Sequence, residues 1–291
     1  MAGKVKIRIV RDDGKEFNID GTDWAIPSNG LEGFGEFENE IVMVDNAIGD
    51  GAIYGSERIA QKDRTIVAKN RNPSLNEVLR RSATSFFNSK SMFKVYITYM
   101  GVTRWAEGKI HKFSLPTSNI HRKMTMTVTF LFGDPFLRSY DDFGQNIAGV
   151  TPMCGFPFLC SITEGTMQGV TGGAHEYAQR ILLENDGDVD AYCKAVLKAS
   201  DRVLNPKLII NGKYVRILDE MMRGDEVVID FTQNPPTVKK NGINFIGHCD
   251  RTSEFDDMAL RVGTTEVQYD AEYGSNVLSV SIYYNKLYGA I

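Results

Sequence analysis

The chain has no run of apolar residues approaching the roughly 20 needed to cross a bilayer. Its best stretch, residues 277–284, is interrupted by Ser279 and Ser281, so no membrane span is expected. Met1, Ala2 and Gly3 precede the first alternating segment without a basic region leading into an apolar one, and no secretory signal is expected. Cysteine is scarce: Cys154, Cys160, Cys193 and Cys249. Only the first two are close, and their Cys-x5-Cys spacing is not that of a zinc knuckle. Reduced, structural thiols are the expectation.

Histidine is equally sparse. His111, His121, His175 and His248 form neither His-x3-His nor His-Glu-x2-His, the spacings that put two imidazoles on one helical face. There is no Gly-x-Ser-x-Gly elbow and no Gly-x4-Gly-Lys-Ser/Thr loop. The glycine cluster Gly30, Gly33 and Gly35 runs into Glu36, Glu38 and Glu40, which repel phosphate. Glu184, Asp186, Asp188 and Asp190 alternate like the start of a calcium loop, but strand-like segments flank them where an EF-hand has helices. A solvated turn is expected there. Glu220, Asp225, Asp250 and Asp256 supply carboxylates for glycoside chemistry, yet nothing in the sequence pairs any two of them. These absences lead us to expect no catalytic residues, no bound cofactor and no metal.

The chain's 291 residues are 42% hydrophobic and 10% aromatic, enough for well-packed cores and more than one core usually holds. Two domains are expected, 1–138 and 139–291. The net charge of -4 is unevenly spread: residues 1–138 hold 20 Lys+Arg against 16 Asp+Glu, and residues 139–291 hold 13 against 21. Neither part has the clustered cations of a nucleic-acid binder, and no nucleic-acid binding is expected.

Alternation dominates. Val5, Ile7 and Ile9 share one strand face and Lys4, Lys6 and Arg8 the other, before a turn at Asp12, Asp13 and Gly14. Residues 21–55 form a Gly-rich, acidic excursion. After Pro73, Ser74 and Glu77 form a capping-box pattern, and Leu75, Val78, Leu79, Ser82 and Phe86 fall at helical spacing. Four strands are expected between residues 93 and 132, with Gly108 breaking the second from the third. Asp134-Pro135 ends that sheet. Residues 160–176 read as a long loop. Beyond them, short alternating runs joined by Asn211-Gly212 and Asn241-Gly242 turns indicate an antiparallel β-sandwich. Both tryptophans, Trp24 and Trp105, lie in the first part. Stacking on a sugar in the second part would fall to Tyr269, Tyr273, Tyr283, Tyr284 or Tyr288, for which packing is the simpler role.

The second part carries a more specific pattern. Asn185-Asp186-Gly187-Asp188-Val189-Asp190-Ala191 is followed by Asn205-Pro206-Lys207-Leu208, by Gly224-Asp225-Glu226-Val227-Val228-Ile229-Asp230 and by the Gly242-Ile243-Asn244 turn, and the chain closes on Tyr288-Gly289-Ala290-Ile291. That order resembles the C-terminal domain of siphovirus distal tail proteins. The first part, with Arg64-Thr65-Ile66, one helix bearing Arg80-Arg81, a strand meander and Phe132-Gly133-Asp134-Pro135-Phe136, resembles the same family's N-terminal belt domain.

The resemblance implies a mainly β fold: a belt domain of β-sheets with one α-helix, followed by a galectin-like antiparallel β-sandwich. It implies a non-enzymatic protein at the virion tail tip, assembled in the bacterial host cytoplasm as a homohexameric ring. The implied partners are the tail tube protein above, a tail-tip or tail-associated protein below, and receptor-binding proteins on the outside. The acidic stretch 32–50 and the basic Lys109, Lys112, Arg122 and Lys123 are of opposite sign, and Lys112 and Lys123 are the candidate subunit-interface residues. The competing readings are a carbohydrate-binding module for the host cell wall and a wall-degrading hydrolase.

Overall fold

A computed structural model describes residues 5–36, 38–46, 49–60, 62–87, 90–117, 122–140, 143–146, 149–151, 174–176 and 180–291. His121, Cys154, Cys160 and most of the expected loop 160–176 lie outside the described residues. The chain divides into two units, Met1–Tyr140 with Leu287–Ile291, and Asp141–Lys286. The sequence division counts residues 287–291 with the second part. The backbone returns them to the first unit, where Leu287–Tyr288 pairs antiparallel with Leu137–Ser139. Arg104 holds this returning segment, donating to the Ala290 carbonyl and lying 3.8 Å over the Tyr288 ring.

The first unit is built on an antiparallel sheet. Its strands run Glu16–Ile19, Lys6–Arg11, Met92–Tyr99, Val102–Ser114, Thr125–Phe132, Lys62–Asn70 and Trp24–Ala25 in spatial order. Period-two alternation sets its two faces. Ile7, Ile9, Val95, Ile97, Met126, Val128, Phe130, Ile66 and Ala68 all point into one core. Phe17, Phe86, Phe87 and Phe93 fill its centre, with ring centroids 5.0–6.3 Å apart. Burying each such ring is worth about 1.5–3 kcal/mol.

Two local expectations change. The sequence places a strand break at Gly108, but Val102–Ser114 is one continuous strand. Gly108 is needed there for a different reason: a Cβ would lie 2.6 Å from the Leu131 carbonyl oxygen on the neighbouring strand. The helix Asn76–Phe86 exists, but its capping box does not form. Asn72 caps a preceding 3-10 turn, Pro73–Leu75, by accepting from the Ser74 N–H at 3.1 Å. The inward stripe is Asn76, Leu79, Ala83 and Phe86, whereas Val78 is 66% exposed and Leu75 and Ser82 also face solvent. The stripe expected from sequence is therefore turned partly off the core. Arg80 fastens the helix to the sheet by donating to the Leu115 and Pro116 carbonyls at 3.0 and 3.2 Å.

Arg64 is fully buried in this unit, beside the rings of Phe34 and Phe132. It donates to the Pro135 carbonyl, while its Nε and Nη1 have no partner among the described residues. Burial pushes its pKa down to about 10, against the opposing pull of Asp134.

The second unit is a two-layer antiparallel sandwich. One sheet orders Phe143–Asn146, Leu278–Tyr284, Ala191–Ala199, Glu226–Asp230, Thr237–Lys240 and Ile243–Asn244, and the other orders Arg180–Asn185, Gly263–Tyr273, Val203–Ile210 and Lys213–Arg216. Their inner faces contribute Ala195, Leu197, Ile229, Val280 and Ile282 from one layer and Leu183, Leu208, Ile210, Val215 and Val267 from the other. Asn211-Gly212 and Asn241-Gly242 form the expected tight turns, all four residues at positive φ between 50° and 82°. The fold is thus mainly β with antiparallel sheets and, among the described residues, one α-helix, as the sequence implies.

Candidate assembly surface

The acidic excursion contains a two-stranded ribbon, Asn39–Asp45 paired with Ala52–Ile59, that joins no other sheet among the described residues. An isolated two-stranded ribbon is marginal in water. This one is also apolar on its surface: Ile41, Val42, Met43, Val44, Ile53 and Tyr54 are 48–73% exposed. The consecutive apolar residues Ile41-Val42-Met43-Val44 put side chains on both faces of the strand, and among the described residues no core face receives them. Glu36, Glu38, Glu40, Asp45, Asp50 and Glu57 flank the apolar side chains along the chain, with Arg58 as the one cation of residues 36–58, paired to Glu40 at 2.6 Å. The ribbon is an apolar strip with an acidic rim.

A cationic counterpart lies elsewhere on the same unit. Ala25, Ile26, Pro27, Lys69, Asn70, Arg71 and Lys123 line a cleft of about 500 Å³. Lys69 and Arg71 are placed by the edge pairing of Trp24–Ala25 with the end of Lys62–Asn70. Asn70 fixes the wall: its Oδ1 accepts from the Met124 N–H at 2.7 Å, and its Nδ2 donates to the Asn72 carbonyl at 3.1 Å. Lys69, Arg71 and Lys123 are exposed and have no ion-pair partner among the described residues. The structure thus groups Lys123 with two cations that the sequence reading did not name. Both signals were weak, because Lys69 and Arg71 are separated from Lys123 by more than 50 residues. Lys112 does not line the cleft; it faces outward from Val102–Ser114 opposite Thr129.

The other sequence candidates have structural duties. Asn185 is buried; its Nδ2 donates to the Val189 and Leu260 carbonyls at 3.1 and 3.0 Å, and its Oδ1 accepts from the Gly187 N–H at 3.0 Å. Asp186 pairs with Lys286, and Asp190 accepts from the Val262 N–H at 2.9 Å. Among the described residues no group of three or more potential metal ligands gathers. Asp225 accepts from the Met222 N–H and the Asn241 amide and lies 3.5 Å from Lys240, which holds its carboxyl below the usual range. Burial works against charge on Lys240, but Asp219 at 2.6 Å and Asp225 outweigh it and keep its pKa raised. Burial likewise raises the thiols, Cys193 to about 12 and Cys249 to about 11, which makes both poor nucleophiles at neutral pH. Tyr269 and Tyr284 are buried in the sandwich core, whereas Tyr273 and Tyr283 are exposed.

Comparison with known proteins gives a consistent answer. Residues 186–288 match the family model of the siphovirus-type tail component, C-terminal domain. The whole chain superposes on the crystal structure of the phage SPP1 Dit protein, described as a paradigm of hub adsorption apparatus in Gram-positive infecting phages, with a TM-score of 0.64 at 10% identity, covering 97% of this chain and 98% of that one. A component of the phage p2 baseplate in its strontium-activated conformation matches with a TM-score of 0.53 at 11% identity, covering 99% and 100%. No curated protein sequence matches the chain.

Proposed function

We propose, from the premise that residues 186–288 are a siphovirus-type tail component domain carried on a Dit-like fold, that this chain is a structural tail protein whose copies close into a hexameric ring. The ring joins the tail tube above to the tail-tip or baseplate proteins below and presents the sandwich units as a platform for host-adhesion proteins. This places the protein at the virion tail tip.

The observation that carries the reading is the ribbon. Six large apolar side chains on an unsupported two-stranded element are costly to leave in water, and covering them favours association. The ribbon and the cationic cleft are different surfaces, so a contact between them is head-to-tail; repeated by rotation, such a contact closes a ring. Their opposite charges favour that pairing over ribbon against ribbon. Cleft residue Lys123 and the outward Lys112 then meet the acidic rim of the next copy. Nothing in this role calls for catalysis.

Light scattering on the purified full chain is expected to give the mass of six copies, and negative-stain images a sixfold ring. Lys112→Glu with Lys123→Glu is expected to shift the mass toward monomer while leaving the far-UV circular dichroism spectrum of the folded chain unchanged. A wild-type monomer in both measurements sinks the ring, and an unchanged mass in the double variant sinks the charge contact.

A further inference from the structure

The sandwich unit has a second surface whose chemistry is unlike that of the ribbon or its cleft. Tyr192, Phe231, Thr232, Gln233, Asn234, Pro236, Phe255 and Asp256 line a cleft of about 350 Å³, within the ~300–1,000 Å³ usual for small-ligand sites. Three separate segments build it. In Ala191–Ala199, Ala191 and Cys193 point into the core, so Tyr192 must point out, and the residue is 46% exposed. Glu226–Asp230 ends at Phe231, which is buried and packs on Phe255, with ring centroids 6.3 Å apart. This pair floors the cleft and joins the turn after Asp230 to the segment that carries Asp256.

The polar rim is ordered. Asp230 accepts from the Thr232 N–H at 3.0 Å, from the Thr232 hydroxyl at 2.6 Å and from the Gln233 amide at 3.1 Å. That fixes the turn and commits the Gln233 NH2 group inward, which leaves its amide oxygen as the free acceptor. Asn234, Asp256 and the Tyr192 hydroxyl have no hydrogen-bond partner among the described residues. The cleft therefore combines an exposed aromatic face, an amide able to donate and accept, and two further acceptors. No lysine or arginine lines it.

We infer that this cleft is a binding site for a neutral saccharide, with Tyr192 stacking on the apolar face of a pyranose ring and Asn234, Gln233 and Asp256 bonding its hydroxyls. A pyranose is apolar across its C–H face and polar around its edge, which is the pattern of this cleft. A phosphate-bearing polymer or a nucleotide would bring anionic charge against Asp230 and Asp256; Lys194 stands opposite Asp230 in register, but no cation lines the cleft itself. The site lies wholly within residues 191–256 and does not depend on ring formation; in an assembled tail it would give the sandwich unit direct contact with a cell-surface glycan.

The test titrates the full-length protein with neutral tetrasaccharides of glucose and of N-acetylglucosamine, and with poly(glycerol phosphate) as the anionic probe, read by calorimetry and by saturation-transfer NMR. Saturable binding of a neutral probe is expected. Tyr192→Ala should weaken it about tenfold, the worth of one aromatic contact, and Asp256→Asn severalfold. Tyr273→Ala, an exposed tyrosine on the opposite sheet, should leave it unchanged. Absence of saturable binding to both neutral probes, or binding confined to the anionic one, overturns the proposal. So does a Tyr192→Ala protein that binds like the wild type. Asp256 is exposed and unpartnered, so Asp256→Asn keeps the test decisive if Tyr192→Ala lowers the melting temperature. Solution mass measured on the same variants separates a failure here from a failure of the ring.

Discussion

The ribbon of residues 39–59 and the strand Thr125–Phe132 of the same unit have similar apolar content but opposite fates. In Thr125–Phe132 every second residue is buried, and Met126, Val128, Phe130 and Phe132 have no exposed surface. In the ribbon the apolar residues run consecutively, as Ile41-Val42-Met43-Val44, and residues 39–46 and 49–58 are all exposed. Consecutive apolar residues in a strand point to both faces. Such a strand is content only when covered on two sides, and the described residues of its own chain cover neither. The two segments thus separate the side chains that hold this unit together from those available to hold copies together.

This contrast predicts a division between stability and assembly. Phe130→Ala is expected to cost about 3–5 kcal/mol in denaturant unfolding, because it opens a void in the aromatic core. Val44→Ala should stay within about 0.5 kcal/mol in a monomeric background while weakening association in sedimentation equilibrium. Comparable stability losses at both positions would erase the distinction.

A smaller effect is expected in the second unit. Asn185→Ala leaves the Val189 and Leu260 carbonyls and the Gly187 N–H without their side-chain partner in a buried turn. It should cost about 1–3 kcal/mol, measured by urea unfolding. No loss would show that the turn is held by its neighbours and not by Asn185.

The smallest concerns pH. Asp225 accepts from the Met222 N–H and the Asn241 amide beside Lys240, so its folded pKa lies below its unfolded one. Its contribution is complete above the ordinary carboxylate range, near ~4, and is lost as pH falls through the folded value. The unfolding midpoint should therefore drop on acidification, and Asp225→Asn should flatten that slope. An unaltered slope in the variant would assign the acid sensitivity to other carboxylates.

Much of the architecture is legible in the residues because it is local. Asn211-Gly212 and Asn241-Gly242 turn the chain because both positions tolerate positive φ, and this depends on nothing distant. The helix after Pro73 is visible from its periodicity, but its rotation about its own axis is not. Leu79 and Phe86 point inward as expected, while Val78 does not, since the sheet beneath decides which stripe is covered. For the candidate surfaces, Lys123 was readable as one of a group of basic residues. Its neighbours Lys69 and Arg71, and Tyr192 in the sandwich unit, carry no local signal that sets them apart from other surface residues.

The sequence by itself determined a mainly β protein of two parts, the position of its helix and tight turns, and the pattern by which the second part resembles tail components. Period, turn chemistry and order along the chain are properties of neighbouring residues. Only the tertiary structure decided that Gly108 continues a strand, that residues 287–291 return to the first unit, that the ribbon of residues 39–59 has no cover, and that Tyr192, Asn234 and Asp256 share a cleft. Each of these depends on which distant backbone comes alongside, and strand pairing across tens of residues leaves no local mark in either partner.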